Sequence, residues 1–543
     1  MTQTLPPGQK MTHYRWSICA LLFFATTINY MDRQVLSLTW KDFIVPEFYW
    51  TNDDYGNITS LFSIFYAISM LLAGRFVDWM DTKKGFLWAI GIWSIGACLH
   101  AFCGIATSGF VAGEWFVGFE GAREILMKTG KAGAIASTSV TLFIFARLIL
   151  AIGEAGNFPA AIKATAEYFP KRDRAFSTSI FNAGATVGAL AAPLTIPSLA
   201  EIWGWEMAFI IIGALGFVWM GFWVFMYKKP EVHPKVNAAE LAYIQQDKIA
   251  DAKIGAVVEE KAGEKVSFLR CLQYRQTWAF AIGKFMTDGV WWFFLFWAPA
   301  YLSAVYGIKS SDTMGKVAIF VLYTITLLSI VGGWLPSYFI GKKGMDPYAG
   351  RMKAMLIFAF FPLLALCAQP LGGYSFWFPV IIIGIAGAAH QSWSANIFST
   401  VGDMFPKKAI ATITGIGGMA GGVGAFLINK ASGRLFDHTQ KFWSTVNGQP
   451  LVEQYPQLLE GAEKTKALFE QQSVVLKSSL AEGQERIASI EQLLRALRDS
   501  GATVVDGINS GYMIIFSVCA VAYLIGWVIM KILVPKYKPI TDL

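Results

Sequence analysis

The chain has 543 residues, a mass of 59.9 kDa and a formal net charge of +8. Hydrophobic residues make up 55% of it and charged residues only 15%, whereas soluble domains carry roughly 25% charged residues. This composition excludes a string of soluble domains and fits a polytopic membrane protein, whose exterior is mostly covered by lipid. The basic residues follow the predicted membrane topology, so the net charge does not indicate nucleic-acid binding.

Apolar segments long enough to cross a bilayer recur along the whole chain. They lie at 16–38, 56–79, 86–105, 138–166, 176–200, 206–227, 277–305, 316–340, 352–370, 374–402, 409–433 and 508–533. The sequence therefore predicts an all-α membrane protein with twelve transmembrane helices. The short segments that hold most of the Lys and Arg residues are predicted to be cytoplasmic, and this puts both termini in the cytoplasm.

Two long hydrophilic segments interrupt the pattern. Residues 229–276 are predicted to be a cytoplasmic linker, and residues 434–507 an external insertion before the last span. Apolar residues at three-to-four spacing predict a helical excursion in the insertion: Leu476, Leu480, Ile487, Ile490, Leu494 and Leu497. It is interpreted as an accessory hairpin that packs on itself, with a docking surface as the alternative.

The chain also repeats itself. Residues 167–171 close the fourth span, and the similar residues 403–407 close the tenth span 236 positions later. The Val-Gly-Ala triplet at 187–189 recurs at 423–425 with the same offset. Two six-helix bundles, 1–228 and 277–543, are therefore predicted, in the parallel-repeat arrangement of secondary transporters with the substrate site between the halves.

Three pairs of ionisable residues fall inside apolar segments, where each charge costs about 3 kcal/mol and needs a function or a partner. In the first span, Asp32 is rotated about 100° from Arg33, so the two are expected to contact different groups, while Tyr30 shares the face of Arg33. The alternative is that both charges reach water at the outer helix end. The other pairs are Arg147 with Glu154 in the fourth span and Lys284 with Asp288 in the seventh.

The spacing of these pairs predicts their behaviour. Arg147 and Glu154 are about 10.5 Å apart along the helix axis, so each needs a partner on another helix. A buried carboxylate such as Glu154 suits a proton carrier, and a structural tie between helices is the alternative. Lys284 and Asp288 are four residues apart and are expected to neutralise each other.

Polar residues also cluster in the tenth span, within an otherwise apolar helix. The run offers neutral hydrogen-bond donors and acceptors beside an aromatic surface, and it is the predicted second-half binding site: Gln391, Trp393, Ser394 and Asn396, beside Ser392 and His390. His390 follows Glu154 by the repeat offset and is expected at similar depth. A hydrogen-bonding role for His390 is favoured over a proton relay.

Residues 74–84 resemble the loop signature of the major facilitator superfamily, with Asp81 where Gly is usual. The matching residues Gly74, Asp78, Lys83 and Lys84 are then expected to form a gating loop at the cytoplasmic face. The resemblance becomes more specific in residues 28–33, Tyr66 and 147–159, which are similar to the anion:cation symporter family, and in residues 163–170, 207–215 and 389–396, which are similar to its hexuronate transporters.

That resemblance implies proton-coupled uptake of a monoanionic sugar acid, glucuronate or galacturonate, across a bacterial inner membrane. It implies that Arg33 binds the substrate carboxylate with Tyr30 and Tyr66 nearby, that Asp32 and Glu154 take protons, and that Arg147 is coupled to Glu154. Another organic anion (an aldonate, an aldarate or sialic acid) or anion exchange are the alternatives. No common catalytic motif is present, so an enzyme, a metal or a cofactor is not predicted. The expected partners are the anion, protons and lipid, and a monomer is expected.

Overall fold

The computed structural model describes residues 10–246, 267–480 and 486–540. The side chains at positions 78, 171, 172, 175, 407, 408 and 411 lie outside this description. Within the described ranges the chain forms two helical bundles, the two ends of the linker between them and a small folded insertion before the last helix. Residues 247–266 of the predicted linker lie outside the description.

The first bundle contains six spans. They are Arg15–Thr39, continued by a π-helical turn at Trp40–Ile44 and a short helix at Val45–Phe48; Asn52–Met80; Thr82–Ala101, bent by 50° into Cys103–Ala112; Ala132–Glu154 followed by Asn157–Tyr168; Lys171–Trp203; and Trp205–Met226. A further helix at Phe119–Lys128 lies between the third and fourth spans. In the linker, Pro230–Val232, Ala238–Ile244 and Phe268–Cys271 are helical.

The second bundle contains the other six. They are Arg275–Tyr306; Thr313–Thr326, Leu327–Ile330 and Val331–Gly341; Pro347–Phe360, Phe361–Cys367 and Ala368–Gly372; Trp377–Met404; Lys407–Trp443; and Ile508–Leu533. Nine of the described helical segments are long and apolar enough to span a membrane, and the bent pair is a tenth. The first and tenth spans fall below that threshold because polar residues lower their hydropathy. The predicted all-α architecture with twelve spans is confirmed.

Equivalent contacts in the two bundles support the internal repeat. A Cβ at Gly188 would lie 2.3 Å from the carbonyl oxygen of Thr27, and a Cβ at Gly424 would lie 2.2 Å from that of Phe285. The fifth span thus packs closely on the first, and the eleventh on the seventh, because a glycine lets the backbones approach. In each bundle, the acidic residue at the end of the fourth span also contacts the start of the third span. Glu167 accepts a hydrogen bond from Thr82, and Asp403 pairs with Arg351.

The insertion differs from its prediction in two ways. The eleventh helix continues to Trp443, beyond 433 where the apolar pattern ends, so the insertion proper begins at 444. It is also not a helical hairpin. Its strands β1 (Thr445–Val446), β2 (Gln449–Pro450) and β3 (Val504–Val505) form a three-stranded sheet in the order β2-β1-β3.

Helices at Leu451–Gln454, Pro456–Leu459, Ala462–Val475, Lys477–Ser479 and Ile490–Asp499 complete the insertion. Its apolar side chains form a core separate from that of the bundles, and this core contains the residues that the spacing had singled out, together with Leu468, Phe469 and Leu493. The prediction that the segment packs on itself is therefore confirmed. We call residues 444–507 the cap, and the face that carries it the outer face.

Candidate functional site

Arg33 and Glu154 form an ion pair between the first and fourth spans. Nη2 and Nε of Arg33 lie 2.9 and 3.2 Å from Oε2 of Glu154. Arg33 is 5% exposed and Glu154 is 1% exposed, so the pair is buried rather than placed in water at a helix end. The other oxygen, Oε1, has no hydrogen-bond partner among the described residues. The sequence had required Glu154 to find a partner on another helix, and that partner is Arg33.

Glycines bring Glu154 close to the third span. A Cβ at Gly153 would lie 2.2 Å from the backbone nitrogen of Trp93, so only glycine permits this helix contact. The fourth helix ends at Glu154 and resumes at Asn157, so the buried carboxylate lies at a break in the span. The same Trp93 donates a hydrogen bond from Nε1 to Oδ2 of Asp32 at 2.7 Å.

Three aromatic rings surround the guanidinium of Arg33. Its central carbon lies 5.2 Å from the ring centre of Tyr30, 4.8 Å from that of Tyr66 and 5.2 Å from that of Trp292. Aromatic faces attract a guanidinium electrostatically, so the rings orient Arg33 and still leave part of its donor fork available. Tyr30 and Tyr66 were predicted, but Trp292 was not. Because it belongs to the seventh span, the second half contributes directly to this site.

Asp32 and Arg147 extend the buried charge cluster without pairing directly with each other in the described structure. Asp32 faces Trp93 on the third span, whereas Arg33 faces Glu154, as their angular offset predicted. The guanidinium of Arg147 lies 5.2 Å from the ring centre of Phe62. The expected coupling of Arg147 to Glu154 is therefore not a direct ion pair in this conformation.

The two buried residues of the predicted site on the tenth span, Trp393 and Asn396, contact other helices of the second half. Nδ2 of Asn396 donates to the carbonyl oxygen of Gly332 at 2.8 Å, and Trp393 packs edge-on against Tyr523 at 5.6 Å. The structure thus brings neither side chain to Arg33. Nε1 of Trp393 and Oδ1 of Asn396 are buried without a partner among the described residues, while Gln391 and Ser394 are only partly buried.

Three other titratable side chains of the second half, Lys284, Asp288 and His390, each have a partner. Lys284 and Asp288 form an ion pair of 2.7 Å, as their spacing predicted. Nδ1 of His390 and the hydroxyl of Tyr523 are 2.7 Å apart, and the ring of Trp291 stacks on the imidazole at 5.4 Å. His390 therefore has the hydrogen-bonded environment that was favoured for it.

The predicted gating loop is mostly helical. The second span runs through Gly74 and position 78 to Met80, and the third begins at Thr82. The side chain of Asp78 lies outside the described residues. Lys83 donates to the carbonyl oxygen of Val224 at 2.8 Å, and Lys84 is exposed.

Asp81, where the signature has Gly, adopts a φ of +67°. This backbone conformation explains the usual glycine, because side chains other than glycine are strained there. The Asp81 carboxylate caps the third span by accepting a hydrogen bond from the backbone nitrogen of Thr82 at 2.9 Å.

The two halves are held together at the outer face. Asp42 accepts hydrogen bonds from Ser303 and Ser310 at 2.8–2.9 Å. Lys430 pairs with Asp53 at 2.7 Å, and the Tyr55 hydroxyl donates to the carbonyl oxygen of Phe296 at 2.9 Å. The structure is therefore closed on the outer side of the Arg33–Glu154 pair.

Known proteins place this arrangement in context. Residues 22–428 match the family model described as Major Facilitator Superfamily. The chain is 26% identical over 433 residues to a hexuronate transporter of Escherichia coli (strain K12), a match that covers 79% of this chain and 89% of the relative. It is 25% identical to a probable galactarate/D-glucarate transporter of the same strain, with 81% and 92% covered.

Solved structures share the fold. A bacterial homologue of the human lysosomal transporter Spinster, in an inward-facing and unoccupied conformation, aligns with a TM-score of 0.61 and 17% identity over 96% of this chain and 98% of that one. A D-xylose-proton symporter aligns with a TM-score of 0.54 and 15% identity over 78% and 90%. At these identities the likeness concerns the fold alone.

Proposed function

The chain belongs to the major facilitator superfamily, and we propose that it is a proton symporter that imports a monoanionic sugar acid, a hexuronate such as glucuronate or galacturonate, by alternating access. The observation that carries this proposal is the buried ion pair between Arg33 and Glu154 beneath the closed outer face. Relatives named for hexuronate transport support the substrate class.

The ion pair offers a way to couple the two ligands. The carboxylate of a sugar acid competes with Glu154 for the guanidinium of Arg33, since Arg33 binds carboxylates through the same donor fork. Once displaced, Glu154 would be an uncompensated buried charge, which is strongly unfavourable. Uptake of a proton by Glu154 removes that cost, so substrate binding and protonation favour each other.

The surroundings of Arg33 suit a hydroxyl-rich substrate. Tyr30, Tyr66 and Trp292 form an aromatic surface on which a sugar ring can lie. On the second half, we assign Gln391, Trp393, Ser394 and Asn396 to the sugar hydroxyls, although in this outer-closed conformation Trp393 and Asn396 contact second-half residues instead. The unpartnered Nε1 of Trp393 and Oδ1 of Asn396 support this assignment, because buried polar atoms usually have partners.

Proton coupling has an energetic basis. Bringing one negative charge into a cell that is negative inside costs about 2.3 kcal/mol per 100 mV. One proton removes that cost, and a second makes the membrane potential drive uptake. We assign the first proton to Glu154 and the second to Asp32, with Arg147 stabilising their ionised forms at a distance.

A dicarboxylate is the second candidate, because some relatives are named for galactarate and D-glucarate. A second carboxylate needs a second cation, and the buried candidate in the second half, Lys284, is already paired with Asp288. Arg147 is assigned to the ionised forms of the two proton-binding acids, so Arg33 is left to bind a single substrate carboxylate, and this assignment favours a monoanion. The remaining alternatives, an aldonate, sialic acid or anion exchange, use the same arginine.

Bacterial relatives and the distribution of basic residues support a location in the bacterial inner membrane with cytoplasmic termini. The proposed working unit is a monomer, because each chain of this fold encloses its own site between its halves.

The test is uptake into proteoliposomes with labelled glucuronate, galacturonate, gluconate, galactarate and sialic acid, with and without an imposed pH gradient. The proposal expects accumulation of a hexuronate that requires the gradient. Preferred uptake of galactarate would show that the substrate is a dianion rather than a monoanion. Uptake that does not depend on the pH gradient would show that the protein is an anion exchanger rather than a proton symporter.

A further inference from the structure

The cap, residues 444–507, contacts both halves of the molecule. It joins the eleventh and twelfth spans, so it belongs to the second half by sequence. The backbone nitrogen of Gly507 donates to Oγ of Ser444 at 2.9 Å, so the cap begins and ends at one place on that half. Among the described residues of the cap, the polar contacts with the first half lie at three separate positions, and the apolar core of the cap consists of other side chains.

The first position is a buried ion pair. Glu491 of the cap binds Lys41 of the first half at 2.8 Å, with side chains 6% and 11% exposed. Glu491 also pairs with Arg495, which donates to the carbonyl oxygen of Ser303 on the seventh span. Burial alone would raise the pKa of Glu491, but Lys41 and Arg495 hold it below its ordinary value. The carboxylate is thus ionised at neutral pH and links the two halves.

The second position surrounds Tyr49, just beyond the first span. Arg486 of the cap donates to the Tyr49 hydroxyl at 2.8 Å and to the carbonyl oxygen of Pro46 at 2.5 Å. Its guanidinium lies 5.3 Å from the Tyr49 ring, and the ammonium of Lys466 lies 5.5 Å from the same ring. Two cations of the cap therefore hold one aromatic residue of the first half.

The third position is the entry to the fourth span. Lys466 donates to the carbonyl oxygen of Thr129 at 2.6 Å. Oε1 of Glu463 accepts a hydrogen bond from the backbone nitrogen of Gly133 at 2.9 Å. These contacts lie at the start of the fourth span, whereas the first two positions follow the first span. The cap therefore contacts the first half at the outer ends of two different spans.

Alternating access requires the outer ends of the two halves to separate. The cap has its own apolar core, so it moves with the second half as a unit and cannot stretch to follow the first. Opening the outer face must therefore break the contacts at all three positions, in addition to those that Asp42, Asp53 and Tyr55 make between the spans.

We propose that the cap is a latch that stabilises the outer-closed conformation and so sets the equilibrium between the outer-closed and outer-open states. It acts without contacting the substrate site. The latch consists of the Lys41–Glu491 pair and of the contacts made by Arg486, Lys466 and Glu463 with the first half.

The experiment measures the distance between the outer ends of the halves by double electron–electron resonance, on the full chain in nanodiscs without substrate. Spin labels at Ser137→Cys and Tyr374→Cys mark exposed positions on the two halves, in a background with the exposed Cys367 replaced by Ser. The latch variant is Arg486→Gln with Glu463→Gln. The matched control is Lys464→Gln with Glu460→Gln, a pair that lies within the cap and removes the same charges.

In the latch variant, the ratio of the long-distance to the short-distance population should rise about tenfold, which corresponds to roughly 1.4 kcal/mol. The control should leave the ratio unchanged. Replacing residues 446–504 by Asn-Gly, which joins the paired residues Thr445 and Val505 through a two-residue hairpin, should raise the ratio further. An unchanged ratio in both the latch variant and the replacement would overturn the proposal, as would an equal rise in the control.

Discussion

Arg33 directs two N–H groups at a single oxygen of Glu154, and the second oxygen of that carboxylate has no partner among the described residues. A guanidinium and a carboxylate can form two parallel bonds, but this pair does not use that geometry. The arrangement leaves donor capacity on Arg33 and acceptor or proton-binding capacity on Glu154. Both are needed if a substrate carboxylate is to displace Glu154 from Arg33 while Glu154 takes up a proton.

Arg33→Lys is expected to weaken binding of the sugar acid by roughly thirtyfold, or about 2 kcal/mol, because an ammonium cannot reproduce the planar donor fork. Binding of labelled hexuronate to the purified protein measures the effect. Arg434→Lys is the matched control, since that side chain is 70% exposed at the outer face. Unchanged affinity in Arg33→Lys would mean that the carboxylate is held elsewhere, with Arg147 the next residue to test.

Trp292→Leu is expected to lower affinity about fivefold to tenfold, because it removes one of the three rings around the Arg33 guanidinium and part of the surface assigned to the sugar. Trp292→Phe keeps an aromatic face and should retain most of the affinity. The same binding measurement compares the two. If the leucine variant binds as well as the wild type, the second half does not contribute to the site through this residue.

Asp81→Gly is expected to raise the apparent melting temperature of the purified protein. Relief of the backbone strain at a φ of +67° is worth about 1–3 kcal/mol, whereas glycine at this cap position costs only a few tenths of a kcal/mol. The ion pair with Lys229 is about half exposed and adds little. Asp81→Ala loses the cap and keeps the strain, so it should lower the melting temperature. Equal changes in both variants would contradict this account of the strain.

Replacing residues 446–504 by Asn-Gly is expected to leave the affinity for substrate within a few-fold of the wild type. The described part of the cap has its own core, and its polar contacts with the bundles, among them those at Lys41, Tyr49, Thr129 and Ser303, do not include Arg33 or Glu154. A binding measurement on a correctly inserted preparation checks this. Loss of binding, rather than a shift between conformations, would show that the cap forms part of the substrate site.

The number and positions of the membrane helices were predictable from the sequence, because hydropathy depends on local composition and the repeat is visible as similar residues at a fixed offset. The ionisable pairs were also identifiable, since a charged residue in an apolar membrane segment is costly and stands out from its neighbours. The angular offset of Asp32 and Arg33 predicted that they face different partners, and the spacing of Lys284 and Asp288 predicted their ion pair.

Contacts between distant segments were not predictable. Nothing in the spacing of Glu154 selects Arg33 rather than another cation, because helix order in the bundle decides which faces meet. Trp292 lies next to Trp291, yet one ring reaches Arg33 and the other stacks on His390, a difference that depends on the rotation of the seventh span. The sheet of the cap was missed because two-residue strands carry no period that a sequence can show.

The central claim is that Glu154 carries the coupled proton, and Glu154→Gln tests it most directly. Glutamine mimics the protonated carboxyl group and cannot release a proton. This variant is expected to lose uptake driven by a pH gradient but to retain exchange of labelled for unlabelled hexuronate, because the loaded carrier still reorients. Both activities are measured on one proteoliposome preparation. Gradient-driven uptake that survives in Glu154→Gln would contradict the account.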